Sequence, residues 1–204
     1  MIYMKQFSFP PSCTGREKHQ IEHEAGLALL RDGLLQEFGL NIPDMSAAVK
    51  IGERGKPYLS SYPDIHFNIS HSKTMAVCAI GKKELGVDVE LVRPVKIPSF
   101  RRILTEGERQ RIEECPKEER DREFFRIWTL KESYAKALGL GLGLDFTSVE
   151  FTIKPAGEHL WQAKVKRLSP LPDVREEDWK LIQTIKNVGE EEYVISFCEL
   201  EEKQ

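Results

Sequence analysis

The sequence of 204 residues contains no run of about 18 apolar residues, so no helix is expected to span a membrane. Its first thirteen residues hold no continuous apolar segment leading to small residues, and no secretory leader is expected there. Cysteine is scarce. Cys13, Cys78, Cys115 and Cys198 form no C-x-x-C pair, which argues against a zinc cage and gives no disulfide framework. Cys78 and Cys198 sit inside apolar runs and read as buried thiols in a reducing, cytoplasmic setting. Excess positive charge is missing too: 30 Lys and Arg against 33 Asp and Glu give a net charge of −3. No global field therefore draws the chain to nucleic acid or to an anionic membrane, and any anion site must be local. Walker A, G-x-G-x-x-G and G-x-S-x-G patterns are all absent.

What is present is a globular composition, 40% hydrophobic and 31% charged, long enough to bury a core. Residues 2–9 alternate weakly and can open as a strand. Arg16 to Phe38 shows helical spacing through Ile21, Ala25, Ala28, Leu29 and Leu35, and Gly39 and Pro43 stop it. A short strand is expected from Ala47 to Ile51, then a turn with a basic tip at Gly55-Lys56-Pro57. Three apolar runs follow. The first, Ile65 to Ile69, is expected to break at Ser70-His71-Ser72. The second, Met75 to Ile80, reads as a buried central strand, and the third, Leu85 to Val92, as its antiparallel hairpin partner. Pro94 and Pro98 mark a connector, which suggests halves of residues 1–95 and 96–204. Helices are expected from Phe100 to Ile112 and from Lys117 to Leu138, with strands at 148–154, 160–165, 179–185 and 193–200.

Four constellations can carry chemistry. On a strand through Gly86-Val87-Asp88-Val89-Glu90, the valines take the core face. Asp88 and Glu90 share the other, about 7 Å apart, with Gly86 leaving open space beside them. Two carboxylates side by side favour a cation between them, although a half-exposed strand with outward acids looks the same. Trp128, Glu132 and Lys136 recur at i, i+4 spacing on one helix face. They read either as a metal and phosphate pair or as an ordinary surface ion pair, and the indole argues against a fully solvated face. Asn68-Ile69-Ser70-His71-Ser72 offers hydroxyls, an imidazole and amides to a phosphate, or is a plain strand-end turn. Lys56 beside Gly55 can reach a phosphate as a point charge, or simply decorate an exposed turn.

The order and spacing of these motifs over residues 55–145 resemble the 4′-phosphopantetheinyl transferase superfamily, Sfp type. That resemblance implies an α+β fold whose two similar halves are related by a pseudo-twofold, with coenzyme A in the cleft between them. It implies transfer of the phosphopantetheine arm to a serine of an apo acyl or peptidyl carrier protein, with release of adenosine 3′,5′-bisphosphate. It makes Asp88, Glu90 and Glu132 ligands of Mg²⁺, gives Lys56, Ser70, His71 and Lys136 contacts to coenzyme A, and offers Glu106 as a further acid near the catalytic Glu132 and Lys136. A monomer is implied by the two-half architecture. The chain departs from the family in its first forty residues, where Arg16, Lys18 and Arg31 are the candidates for the adenosine 3′-phosphate. Residues 91–104 carry Arg93, Lys96, Arg101 and Arg102 without a single acid, which suits a dock for an acidic carrier. Two other readings stay open: a Mg²⁺-dependent phosphohydrolase using the same acids, and a catalytically silent coenzyme A binding protein.

Overall fold

A computed structural model describes residues 1–169 and 179–201. In chain order it runs β1 (Ile2–Gln6), α1 (Gly15–Phe38), α2 (Met45–Ala48), β2 (Val49–Ile51), β3 (Pro57–Leu59), β4 (His66–Ser72), β5 (Met75–Gly81) and β6 (Leu85–Leu91). It continues through α3 (Glu106–Glu114), α4 (Arg120–Leu138), β7 (Val149–Gly157), β8 (Leu160–Arg167), β9 (Trp179–Val188) and β10 (Glu191–Leu200). The long helices start and stop for local reasons. Thr14 and Glu17 close a capping box on α1, and Gly39 ends it in the left-handed region at φ 67°. Thr105 and Glu108 do the same for α3. That box is why the second half's first helix begins at residue 106 rather than at the expected Phe100, which ends a short 3₁₀ turn instead.

The strands form two main antiparallel sheets, ordered β1-β5-β4 and β6-β10-β9-β8-β7. They pack face to face: Met75, Val77 and Ala79 of β5 meet Leu85, Val87 and Val89 of β6 and Ile195 and Phe197 of β10. On the outer face of the first sheet, Leu30 and Leu34 of α1 cover Phe67, Ala76, Cys78 and Ile80. On the outer face of the second, Leu130, Tyr134 and Ala135 of α4 cover Val149, Phe151, Leu181 and Cys198. The architecture is α+β, as expected, and each half lays one long helix across one antiparallel sheet.

Two expectations are corrected here. β6 does not pair with β5 as a hairpin. It ladders with β10 from Tyr193↔Leu91 to Glu199↔Leu85, because its odd-numbered apolar face is packed onto the face of β5 and its edge is left for β10. The chain therefore passes from the first sheet to the second at residues 82–84. Ser70-His71-Ser72 is not a turn either. β4 runs through all three, and the chain reverses at Lys73, whose φ is 52°.

The free edge of β6 faces β4, and side chains take the place of a backbone ladder there. Val87 N donates to Asn68 Oδ1 at 2.9 Å, and Leu91 N donates to Ser72 Oγ at 3.1 Å. Residues 68, 70 and 72 share one side of β4 because strand side chains alternate. This seam satisfies an edge strand's exposed amides without closing the sheet.

Candidate active site

The seam is where the proposed site residues meet. Ser70 and His71 of β4, Asp88 and Glu90 of β6, and Trp128, Glu132 and Lys136 of α4 line one cleft of about 340 Å³. The helix reaches it by riding directly on the strand. A Cβ on Gly86 would lie 2.1 Å from Ser133 O and 2.5 Å from Ala137 N, so the expected open space beside Gly86 is filled by α4 backbone. Ser133 and Ala137 follow Glu132 and Lys136 directly, so this contact sets how far both side chains reach.

Lys136 is the centre of the polar network. Its Nζ donates to Asp88 Oδ1 at 2.6 Å, to Ser70 Oγ at 3.0 Å and to Val87 O at 3.3 Å. Ser70 Oγ donates to the same Asp88 oxygen at 2.8 Å. Asp88 Oδ2 is buried and has no hydrogen-bond partner. Burial pushes the Asp88 carboxyl above the usual carboxylate range, against the pull of Lys136 and Ser70. Glu132 is pushed up as well, first by burial and then by the Asp88 carboxylate, which makes it a stronger base than a free glutamate. Glu90 is held from one side only: Ser72 Oγ and Arg93 Nη1 each donate to Oε2 at 2.9 Å. The Arg93 guanidinium in turn lies 4.7 Å from the Phe125 ring centroid.

Among the described residues no group of three or more His, Cys, Asp and Glu side chains is placed so that it could hold a metal ion as it stands. The donor chemistry nevertheless fits a hard divalent cation. Three carboxylates share the cleft, one oxygen of Asp88 is buried without a partner, and the Glu132 carboxylate is disfavoured by burial and then by its acidic neighbours.

Other expected residues are placed elsewhere. Glu106 lies outside the cleft lining: its side chain is 83% exposed and paired with Arg109, because the capping box turns position 108 inward and 106 outward. Lys56 lines an adjacent cleft of about 200 Å³ with Pro57, Tyr58, His66 and Glu84. Its Nζ pairs with Glu84 and donates to Ala137 O at 2.8 Å, so it also holds the C-terminal end of α4. Arg16, Lys18 and Arg31 do not line the 340 Å³ cleft. Lys18 lies over Phe9 and Arg31 pairs with Asp32. The α1 groups near the cleft are instead Glu22, whose Oε2 is 3.6 Å from His71 Nδ1, and His19 and His23, whose charges His71 feels. Burial holds the His71 imidazole below its ordinary value. Sequence reasoning also missed Ser72 and Arg93 as partners of Glu90, and the pair Lys131 and Glu108 behind the helix. The T-x-x-E spacing of Thr105 and Glu108 was the one available signal for the latter.

Residues 84–198 match the family described as the 4′-phosphopantetheinyl transferase superfamily. A 4′-phosphopantetheinyl transferase of Bacillus subtilis is 34% identical over 132 residues, covering 65% of this chain and 58% of the relative. The 4′-phosphopantetheinyl transferase gsp of Aneurinibacillus migulanus is 33% identical over 151 residues, covering 70% and 63% respectively. The chain thus spans about six-tenths of the length of these relatives. A holo-(acyl-carrier-protein) synthase from Bacillus anthracis, solved with coenzyme A, aligns over 59% of this chain and 96% of its own at 20% identity and a TM-score of 0.45.

Proposed function

Since the chain belongs to the 4′-phosphopantetheinyl transferase superfamily, we propose that it transfers the phosphopantetheine arm of coenzyme A to a serine of an apo acyl or peptidyl carrier protein. The observation that carries this reading is the meeting of Ser70, His71, Asp88, Glu90, Glu132 and Lys136 on one cleft between the two halves. In the reaction the carrier's serine oxygen attacks the phosphorus that bears the pantetheine arm. The bond from that phosphorus to the bridging oxygen breaks, and adenosine 3′,5′-bisphosphate leaves. Displacements of this kind need positioning and charge neutralisation more than covalent help from the protein.

Glu132, made more basic by burial and by Asp88, takes the serine proton directly or through one water. Lys136 places its ammonium where charge grows on the leaving phosphate. Ser70 and His71 orient the nucleotide end from β4, and Lys56 does so from the adjacent cleft. Asp88 through Oδ2, Glu90 and Glu132 would hold Mg²⁺, and when bound it would supply Lewis-acid neutralisation of the pyrophosphate oxygens.

The carrier docks on the basic segment 93–102. Val95, Ile97 and Phe100 of that segment pack into the cluster that includes Trp128, at the cleft wall. Lys96, Arg101 and Arg102 are left exposed beside it. The enzyme acts as a monomer in the cytoplasm, where its cysteines stay free. Among the described residues no helix is long and apolar enough to cross a membrane.

Intact-mass measurement of apo carrier proteins after incubation with the chain, Mg²⁺ and coenzyme A tests the proposal. A carrier heavier by one phosphopantetheine supports it. Free phosphopantetheine with unlabelled carrier would mean hydrolysis, and coenzyme A left intact would mean a silent binding protein.

A further inference from the structure

Directly behind the cleft, α4 carries a lysine that never reaches solvent. The Lys131 and Glu108 side chains are both 0% exposed, with Lys131 Nζ 2.9 Å from Glu108 Oε2. The same ammonium donates to Phe146 O at 2.5 Å and to Val149 O at 2.7 Å. Three acceptors thus saturate the three N–H groups of a lysine. Glu108 is itself fixed: its Oε2 accepts from Thr105 N at 2.9 Å, and its backbone N donates to Thr105 Oγ1 at 3.1 Å. Thr105 Oγ1 then donates to Glu150 Oε1 at 2.8 Å. One buried cation therefore joins the N-terminus of α3, the middle of α4 and the entry to β7.

Stability alone is a poor reason for such a pair, because desolvating both charges offsets much of their attraction. Its place in the chain offers a better one. Lys131 immediately precedes Glu132, about 100° around the helix, and Lys136 lies just over one turn farther on. A small rotation of α4 would swing both away from Asp88. Leucine or methionine at 131 could slide against Phe146, whereas an ammonium with three fixed acceptors has one seat.

We propose that the Lys131–Glu108 pair is a positioning device that fixes the rotation of α4 and thereby aims Glu132 and Lys136 at Asp88. The inference rests on the functional reading of Glu132 given above. The pair touches neither substrate nor metal in that reading and acts only through the helix.

The test compares the full chain with the double variant Lys131→Met/Glu108→Leu, which replaces the pair with apolar side chains of similar size. Glu132→Gln and the triple variant complete the cycle. Thermal unfolding, Mn²⁺ binding followed by electron paramagnetic resonance, and carrier labelling are read on each. The double variant is expected to fold, to bind Mn²⁺ about tenfold more weakly and to lose about tenfold or more in kcat, the range seen when partners of metal ligands are removed. Relative to Glu132→Gln, the triple variant should lose less than the double variant loses relative to the parent, since part of the pair's effect runs through Glu132 and the rest through Lys136. A folded double variant with Mn²⁺ affinity and kcat both within about twofold of the parent overturns the proposal. Should the double variant fail to fold, Lys131→Met alone decides by the same two readouts, because it removes all three of the ammonium's hydrogen bonds and leaves Glu108 a carboxyl that burial already pushes toward its neutral form. Unchanged turnover in Glu132→Gln would instead overturn the functional reading, and the positioning role with it.

Discussion

Replacing Gly86 with alanine tests the contact on which the cleft is built. The added Cβ would sit 2.1 Å from Ser133 O, 2.5 Å from Ala137 N and 3.1 Å from the Lys136 carbonyl carbon. All three are backbone atoms in the last turns of α4, so no side chain can swing aside. The helix must lift by roughly 1 Å to restore ordinary contact distances, and overpacking of this kind costs about 1–3 kcal/mol. Activity should suffer more than stability. Glu132 and Lys136 are carried on the turn that moves, and a misplacement of about 1 Å can cost about 10²-fold in rate. Urea unfolding and steady-state labelling of an apo carrier read the two effects separately. Gly81→Ala is the control, since its Cβ would meet only the ends of Leu85 and Glu199, at 3.2 and 3.3 Å. It should stay within about 1 kcal/mol of the parent with unchanged kcat. A Gly86→Ala chain as stable and as active as the parent would refute the claim that backbone contact seats α4.

Glu132→Gln should raise the unfolding midpoint at neutral pH, because burial and the Asp88 charge both oppose the carboxylate in the folded chain. Each kcal/mol gained corresponds to about 2–4 °C for a chain of this size, while carrier labelling collapses; a lower midpoint would contradict the reasoning. Charge reversal at Arg101 and Arg102 should raise KM for an acidic carrier at low salt and leave KM for coenzyme A unchanged, because both side chains are exposed beside the cleft and outside its lining. His71 is held below the ordinary imidazole value of 6.5, first by burial and then by Lys136, His19 and His23, against Glu22. The unfolded chain therefore takes up this proton first as pH falls: the contribution to stability is present above pH 6.5 and is lost as pH drops toward the lower folded value. His71→Asn should flatten the stability slope just below pH 6.5, measured by urea titrations at stepped pH, and an unchanged slope counts against it.

Much of this site was legible in the sequence because it is written in local periods. Alternation placed Asp88 and Glu90 on one face of β6, and i, i+4 spacing placed Trp128, Glu132 and Lys136 on one face of α4. What was hidden is what depends on distant partners. Adjacent strands suggest a hairpin, but β6 finds β10 a hundred residues away and packs on β5 face to face. Ser70-His71-Ser72 looked like a turn because it is polar, yet its polarity stitches β4 to the edge of β6. Gly86 looked like vacant space because a missing side chain does not reveal which backbone will enter. Glu106 and Glu108 are equally acidic on paper, and only the capping box at Thr105 tells which one turns inward.

The charges around the cleft lead to one last expectation. Asp88, Glu90 and Glu132 contribute three negative charges, and Lys136 on Asp88 and Arg93 on Glu90 return two positive ones. Counted by formal charge the set sums to −1, with each cation already committed to a strand carboxylate. A pyrophosphate-bearing substrate is anionic, so these five side chains alone would repel it. One divalent cation reverses the sign of the set to about +1. Binding of coenzyme A and binding of the cation should therefore be mutually dependent, each weak without the other. Calorimetric titration of the chain with coenzyme A in chelator, then with Mg²⁺ restored, reads this directly. Coenzyme A affinity should fall at least about tenfold in chelator, a difference of ~1.4 kcal/mol, and carrier labelling should stop. Affinity unchanged by chelation would show that Lys136 and Arg93 leave their carboxylates to meet the substrate, and that the three acids are not there to hold a metal.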